Sequence, residues 1–217
     1  MPRLLSLFDG TGAVCRPFRE DPDWEVRSLD IDGKHGADIV QNILEWDYSK
    51  EPPCDVIFAG CPCQEYSLAK TRGKRNMMAA DRLVRKTWEI IQHFSELHPT
   101  SSMLFFRENP DSSYLWKRAV SEPFPYRLRL DYCCYGNTGY RKRTKLATNA
   151  YAYVPRALCN PKTCPSCVDG KHIKSAQRGP CKGKTEDRCT LDELHAYPEE
   201  LCKEIFEHCR QQIWTVL

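Results

Sequence analysis

Short apolar runs alternate with turn motifs and a long amphipathic segment, and this alternation most constrains the fold. Residues 3–8, 24–29 and 55–59 have the composition of buried strands, and residues 79–97 carry apolar side chains at helical spacing. We interpret that helical stripe as ordinary core packing under a sheet. Strands that alternate with helices are typical of α/β proteins, so we expect an α/β fold.

Later segments continue the pattern as far as Asn149. We predict strands at Met103–Phe106 and Tyr126–Tyr135, and a strand or hairpin at Thr144–Val154. The last part of the chain, residues 191–217, has the pattern of a helix that begins near Pro198.

A cysteine motif directly follows the strand at 55–59. Residues 60–67 read Gly-Cys-Pro-Cys-Gln-Glu-Tyr-Ser. Open α/β sheets bind ligands at the carboxyl ends of their strands, so a cysteine in this turn is placed for attack. A lone buried cysteine is more often an inert small hydrophobe, and a catalytic role for Cys63 therefore needs support from other motifs.

The amino-terminal strands end in residues that suit a nucleoside. The first runs into residues 9–13, whose glycines let the backbone turn tightly and approach a ligand. The second ends at Asp30, about 20 positions after the glycines, where an acid can bond a ribose hydroxyl. Asp38 could accept from an adenine amine. Phosphate binding is less well supported, because a Gly-Lys-Ser/Thr motif and the third Rossmann glycine are missing.

Together these motifs resemble the cytosine-C5 methyltransferase family, which uses S-adenosylmethionine, and they look most like its compact phage- and virus-type members. Phe8–Gly12 resembles the family's cofactor loop and Gly60–Gln64 its catalytic loop. Glu108–Pro110 resembles the Glu-Asn-Val motif, with proline in place of valine. Tyr135–Arg143 resembles the Tyr-Gly-x-Pro-Gln-x-Arg-x-Arg motif. The resemblance covers residues 3 to about 149, in family order.

The resemblance implies a Rossmann-like, S-adenosylmethionine-dependent methyltransferase fold, with a mixed, mostly parallel sheet and helices on both faces. It also implies a DNA (cytosine-5-)-methyltransferase. Two positions depart from the last motif: Thr138 replaces proline and Gly139 replaces glutamine. An RNA cytosine-C5 methyltransferase and a catalytically silent nucleic-acid-binding relative remain as alternatives.

The resemblance also assigns the cofactor contacts. It places Asp30 on the ribose, Ile31 over the adenine and Asp38 at the adenine amine. The cofactor-binding residues that it implies are Phe8, Asp9, Gly10, Thr11, Gly12, Asp30, Ile31, Asp38, Ile39, Gly60 and Pro62.

The chemistry explains the catalytic residues that the resemblance implies. C5 of cytosine is a poor nucleophile, and addition of the Cys63 thiolate to C6 makes an enamine-like intermediate whose C5 can attack a methyl sulfonium. Glu108 would supply a proton or a strong hydrogen bond at N3, and Asn109 would fix the local backbone. Arg143 would hold the cytosine O2, and Arg141 a phosphate or the loop. The base must be flipped out of a duplex or presented single-stranded.

Charge agrees with a nucleic-acid partner without deciding it. The formal net charge is +3, which is mildly basic. Two local clusters are expected to face a phosphate backbone, although Lys74 and Arg75 could be ordinary solvated residues. These clusters are Lys70, Arg72, Lys74 and Arg75, and then Arg141, Lys142, Arg143 and Lys145.

The cysteine count bears on location. The chain has 13 cysteines and no pattern of a secretion signal or membrane span. We expect an intracellular, reducing compartment: cytoplasm or nucleus, or the host cell if the protein is viral. The expected partner is DNA, with RNA as the alternative and no membrane, and the expected state is a monomer.

A change of composition after Val154 predicts a small insert. Residues 156–190 are rich in Cys, Lys, Gly and Pro and cannot form a core of their own. The expected organisation is a catalytic domain of residues 1–155 and 191–217, with 156–190 as a target-recognition segment.

The insert also has the spacing of a zinc site. We expect a structural zinc, against the alternative of a reduced, metal-free loop. Either Cys181 or Cys189 could replace one of the preferred ligands. These are Cys159, Cys164, Cys167 and His172.

Overall fold

The computed structural model describes residues 1–98, 103–124, 126–136, 138–176 and 189–216. The strands are β1 (Arg3–Leu7), β2 (Glu25–Asp30), β3 (Ile39–Val40), β4 (Val56–Ala59), β5 (Leu104–Pro110), β6 (Arg127–Asp131), β7 (Arg143–Thr148), β8 (Cys167–Val168) and β9 (Lys171–His172). The α-helices are α1 (Cys15–Glu20), α2 (Met77–Leu97), α3 (Leu191–His195) and α4 (Glu199–Val216).

A seven-stranded sheet with the order β3-β2-β1-β4-β5-β7-β6 organises the chain. The pairs from β3 to β5 are parallel, whereas β7 runs antiparallel to both β5 and β6. The sheet is therefore mixed and mostly parallel, as predicted. The strand order reverses at β1, which lies between β2 and β4, and such a reversal opens a crevice at the carboxyl ends of the strands.

Three predicted strands have different bounds in the structure. β5 continues through Pro110, so the Glu-Asn-Pro motif lies inside the strand. The strand predicted to reach Tyr135 ends at Asp131 and passes into a 3-10 turn over Tyr132–Cys134. Residues 143–148 form one strand and not a hairpin, because β7 already has a partner on each side.

Two apolar layers cover the faces of the sheet. On one face, α1 and α4 meet through Phe18 and Phe206, whose ring centroids lie 5.0 Å apart. On the other, α2 buries Val84, Ile91 and Phe94 against the sheet. Full burial of a side chain of this size contributes about 1.5–3 kcal/mol, so the α2 stripe has the core role that its spacing suggested.

Local signals set the limits of α2 and of the insert's hairpin. The Asn76 side chain caps α2 by accepting from the backbone N of Ala79, at 3.1 Å. β8 and β9 pair through a two-residue turn of Asp169 and Gly170, both with positive φ, which is the conformation that an Asp-Gly hairpin turn uses. In the described parts of the chain, none of the helices has the length and apolarity needed to cross a membrane.

Candidate active site

The loop after β1 is built for close approach by a ligand. Phe8, Gly10 and Gly12 all have left-handed φ values, between +56° and +70°. A left-handed phenylalanine is uncommon, and strained backbone of this kind clusters at ligand sites. The turn is closed by a hydrogen bond from Gly12 N to Asp9 O, at 3.1 Å.

The buried side chain of Asp9 anchors this loop. Its Oδ1 accepts from Ser6 Oγ at 2.7 Å and from Cys15 Sγ at 3.1 Å. Burial and the Asp9 charge hold the pKa of Cys15 well above its usual range, so Cys15 stays a neutral donor. Thr11 is half-buried between the two glycines.

Asp30 ties the end of β2 to the same loop. Its Oδ2 accepts from Gly10 N at 2.8 Å, and its Oδ1 accepts from Asp32 N at 2.9 Å. The adjoining Ile31 side chain is 71% exposed, which leaves an apolar surface beside a carboxylate. The apolar surface can pack against a base, and the neighbouring carboxylate can accept from a ribose hydroxyl. Together these two features fit an adenosyl group.

Asp38 lies on the far side of β2. Its Oδ2 accepts from Ser28 N and Ser28 Oγ, both at 2.8 Å, and from Arg19 Nη2 at 2.7 Å. These bonds fold the connection between β2 and β3, and the next residue, Ile39, begins β3 half-buried. In this structure Asp38 therefore fastens the segment that follows β2, next to the predicted cofactor site, to Ser28 of β2 and Arg19 of α1.

The predicted catalytic loop leaves β4 with one cysteine buried and the next partly buried. Cys61 is buried, and its carbonyl oxygen accepts from Asn109 Nδ2 at 2.9 Å. Cys63 is half-buried, and its carbonyl accepts from Tyr66 N at 3.0 Å. Gly60 N donates to Leu7 O at 3.2 Å, which holds the start of the loop, and with it Pro62, beside β1.

The electrostatic surroundings of Cys63 connect it to two other side chains. Burial raises the pKa of the Cys63 thiol, and the charge of Glu108 raises it further, whereas Lys142 lowers it. The charges of Glu108 and Lys142 thus act on the Cys63 thiol in opposite directions.

Four side chains surround the buried carboxyl group of Glu108. Thr144 Oγ1 forms a short hydrogen bond to Oε1, and the Tyr132 hydroxyl lies 3.4 Å from the same oxygen. The Tyr197 hydroxyl donates to Oε2 at 3.3 Å, and Lys142 Nζ lies 3.9 Å from Oε1. Burial and the nearby Glu108 hold the pKa of both tyrosines well above the usual range, so their hydroxyls are donors.

Sequence reasoning named neither tyrosine and gave Thr144 and Lys142 no role at Glu108. Thr144 and Lys142 adjoin Arg143 in the Arg-x-Arg motif, so a sequence signal for them exists. Tyr197 stands just before α4 and far from every motif, and nothing in its local sequence marks it.

Arg143 is held by an aspartate. Arg143 Nε donates to Asp131 Oδ1 at 3.0 Å, and Nη2 donates to Oδ2 at 2.8 Å. Burial alone would raise the pKa of Asp131, but the bonds from Arg143 and from the Cys159 backbone hold it below its ordinary value. Arg141, two residues earlier, is exposed.

Two members of the first basic cluster hold their own loop together. The Arg75 guanidinium donates to Ser67 O at 2.7 Å and to Lys70 O at 2.8 Å, and Lys70 Nζ donates to Glu65 at 2.6 Å. Arg72 and Lys74 are exposed on the same loop. In the second cluster, Lys145 pairs with Asp111 at 3.0 Å.

The insert brings three of its four predicted ligands together with a cysteine from outside it. The ligand atoms of Cys133, Cys159, Cys164 and His172 all lie within 4.8 Å of one another. His172 Nε2 is 3.3 Å from Cys133 Sγ, 3.6 Å from Cys159 Sγ and 3.7 Å from Cys164 Sγ. Three thiols and one imidazole form a donor set that suits zinc.

The other candidate ligands lie elsewhere. Cys167, predicted as a ligand, is not in this group. Its thiol interacts by a hydrogen bond with the thiol of Cys164 instead. Cys189 is buried in the apolar layer under α4, and Cys181 lies outside the described residues. Cys133 was missed because it sits 26 positions before Cys159, outside the insert, in the turn after β6.

The chain is similar to known methyltransferases. It is 31% identical over 180 residues to the "Probable DNA (cytosine-5)-methyltransferase" of Frog virus 3 (isolate Goorha), a match that covers 76% of this chain and 78% of that protein. No model of a known protein family matches the sequence.

Solved structures share the fold. A prophage-encoded DNA modification methyltransferase (E. coli) matches with a TM-score of 0.50 at 12% identity, over 73% of this chain and 52% of that one. The S. pombe Dnmt2 methyltransferase matches with a TM-score of 0.47 at 12% identity, over 81% and 59%. The chain thus spans little more than half the length of these structures.

The charges around Cys63 predict how its reactivity depends on pH. Its alkylation by iodoacetamide should rise with pH to a midpoint above the ordinary pKa of a cysteine, because burial and Glu108 disfavour the thiolate. Lys142→Met should move the midpoint up and Glu108→Gln should move it down, each by about one pH unit. Mass spectrometry of the Cys63 peptide measures the rate at each pH.

Arg72→Met serves as the control, since it removes an exposed positive charge from the neighbouring loop. Its midpoint should equal that of the wild type. Equal midpoints in all four proteins would show that neither Glu108 nor Lys142 acts on the thiol.

Proposed function

We propose that this chain, which belongs to the DNA (cytosine-5)-methyltransferase family, methylates C5 of cytosine in DNA through a covalent adduct between Cys63 and C6. Family membership makes the chain an enzyme of the cytosine-C5 methyltransferase class, and its relatives imply S-adenosylmethionine as the methyl donor. The observation that carries the finer proposal is the junction of β4 and β5, where Ala59, four residues before Cys63, lies opposite Arg107, the residue before Glu108, and Asn109 Nδ2 donates to the Cys61 carbonyl oxygen.

Cys63 is proposed as the nucleophile. Its thiolate adds to C6 of cytosine, and the electron pair of the C5–C6 bond becomes available at C5. Lys142 favours the thiolate through its positive charge. After the methyl group has joined C5, loss of the C5 proton and departure of the thiolate restore the aromatic ring.

Glu108 is proposed to serve N3 of the cytosine. Addition at C6 places negative charge on the ring, which a proton or a strong hydrogen bond at N3 stabilises. Thr144, Tyr132 and Tyr197 all bond to the carboxyl group and fix its orientation before substrate binds. Because these hydroxyl groups already hold the carboxyl group in place, Glu108 needs no rearrangement during the reaction.

The cofactor is proposed to lie across the loop after β1 and the end of β2. The backbone of Phe8–Gly12 would approach it closely, Asp30 would accept from the ribose hydroxyls, and Ile31 would cover the adenine. Asp38 is proposed at the adenine amine, held there by Ser28. When bound, S-adenosylmethionine supplies an electrophilic methyl group on its sulfonium.

DNA is the proposed substrate because the viral relative is named as a DNA methyltransferase. The target cytosine must leave the stack to reach a pocket as deep as that of Glu108. Arg143 would hold the O2 of the flipped base, and the exposed Arg72, Lys74 and Arg141 would meet phosphates. RNA is the alternative substrate of the same chemistry.

Zinc is the proposed structural metal of the insert, held by the cluster of Cys133, Cys159, Cys164 and His172. The insert is too polar to fold by burial of apolar surface, so a metal would supply its order. Because Cys133 belongs to the turn after β6, the metal would fasten the insert to the catalytic sheet. The insert is also the proposed target-recognition segment.

Exchange of the two loop cysteines tests the nucleophile. With S-adenosylmethionine present, an oligonucleotide with 5-fluorocytosine should form a stable covalent adduct with the wild type, since after methyl transfer fluorine cannot leave as the C5 proton does. Cys63→Ser should form none, and Cys61→Ser should keep most of the adduct, because the Cys61 side chain is buried away from the pocket. Denaturing gels and mass spectrometry measure the adduct, and equal adduct in Cys63→Ser would refute the assignment.

Asp30→Ala tests the cofactor site. The substitution should raise the Kd for S-adenosylmethionine about tenfold to a hundredfold, the loss of one or two charge-assisted hydrogen bonds. Asp32→Ala is the matched control, because Asp32 is exposed two residues away and caps only the next turn, by accepting from Lys34 N. Calorimetry measures both affinities, and an unchanged Kd for Asp30→Ala would rule out this site.

Metal analysis tests the ligand set. The purified protein should contain about one zinc ion per chain. Cys133→Ser and Cys164→Ser should each lose it, while Cys167→Ser should retain it, because only the first two thiols face His172. If Cys167→Ser lost its zinc and Cys133→Ser kept it, Cys167 would be the fourth ligand in place of Cys133, as the sequence spacing predicts.

A further inference from the structure

Asp131 joins the Cys/His cluster to the proposed base-binding arginine. We propose that Asp131 is a positioning residue through which the metal cluster sets the orientation of Arg143. This inference rests on the proposed function, since it takes Arg143 to hold the target cytosine and the cluster to hold zinc.

The Asp131 carboxylate accepts two hydrogen bonds from the Arg143 guanidinium. Asp131 ends β6 and lies directly opposite Arg143, the first residue of β7. The Asp131 side chain is fully buried, whereas the side chain of Arg143 is 36% exposed. A bidentate pair fixes the plane of the guanidinium as well as its position. The exposed edge of Arg143 is therefore presented to solvent in one orientation.

The same carboxylate also receives the insert. Asp131 Oδ2, which bonds to Arg143 Nη2, accepts from the backbone N of Cys159 at 3.0 Å. Cys159 is a member of the cluster, and Cys133, another member, lies two residues beyond Asp131 along the chain. Ligation of both cysteines would hold Asp131 from two sides, and residues just outside a metal's ligand shell commonly orient the groups around them.

This arrangement gives the insert a second role. Beyond contacting DNA, an ordered insert would complete the support of the residue that receives the base. Without the Cys159 bond, Asp131 keeps Arg143 but loses the bond that fixes its own Oδ2, and the guanidinium gains freedom. The expected consequence is a slower chemical step at saturating DNA, with S-adenosylmethionine binding unchanged.

A double-mutant cycle on the zinc-loaded full chain tests the coupling. The measured quantity is the rate constant of adduct formation with a 5-fluorocytosine oligonucleotide and S-adenosylmethionine, both saturating. Asp131→Asn should slow it about tenfold to a hundredfold, the range for loss of such a supporting partner. Arg143→Gln should slow it at least as much. The double variant should match Arg143→Gln within about twofold, because Asp131 acts only through Arg143.

A second buried carboxylate provides the control. Asp81, in α2, also bonds to an arginine, with Arg118 Nε at 2.7 and 3.0 Å from its two oxygens. Any effect of Asp81→Asn on adduct formation should be the same in the wild-type and Arg143→Gln backgrounds. A purely structural role for Asp131 would give the same additive result.

Two further measurements keep the outcomes distinct. Asp131→Glu retains the charge but displaces the guanidinium, so it should slow adduct formation while zinc content and cofactor affinity stay normal, even if Asp131→Asn folds poorly. Additive effects of Asp131 and Arg143, or a wild-type rate in Asp131→Glu, would overturn the inference alone. A wild type that forms no adduct with any oligonucleotide would overturn the proposed function as well.

Discussion

Parallel pairing of β4 with β1 on one side and β5 on the other is the constraint on which the site depends. Ala59 lies opposite Leu7 in β1 and opposite Arg107 in β5. The next residue of each strand therefore emerges at the same sheet edge: one opens the proposed cofactor loop, one the proposed catalytic loop, and one is Glu108. The hydrogen bond from Asn109 Nδ2 to the Cys61 carbonyl oxygen then fixes the loop that carries Cys63 relative to β5.

Local sequence pattern was enough to place the motif residues of the candidate site in or just after strands. Cys63, Asp30 and Glu108 each follow or lie in a strand that its apolar residues predict, and the order of the motifs indicates the fold. The partners that come from distant chain segments could not be predicted in this way. Tyr197 reaches Glu108 across 89 residues, and Cys133 joins ligands that lie beyond the next strand, β7. Only the folded topology brings such residues together.

The departure at Gly139 has a physical account in the insert. Gly139 has φ +74°, and a Cβ atom there would lie 3.2 Å from the Lys174 side chain and 3.3 Å from that of Ile173. Its carbonyl accepts from Lys174 N at 2.8 Å, and its own N donates to Ser166 Oγ. The position where the family motif has glutamine is thus covered by the insert itself. A larger residue here would push the insert away from the sheet.

Tyr197 connects helix α4 to the centre of the candidate site. The residue stands two positions before α4, packs edge-on against Phe58 in β4, and donates to Glu108. Helix α4 in turn rests on α1 through Phe206 and Phe18. A substitution that loosens this contact between two helices would therefore also loosen the hold of Tyr197 on the Glu108 carboxyl group, although both phenylalanine rings lie outside the candidate site.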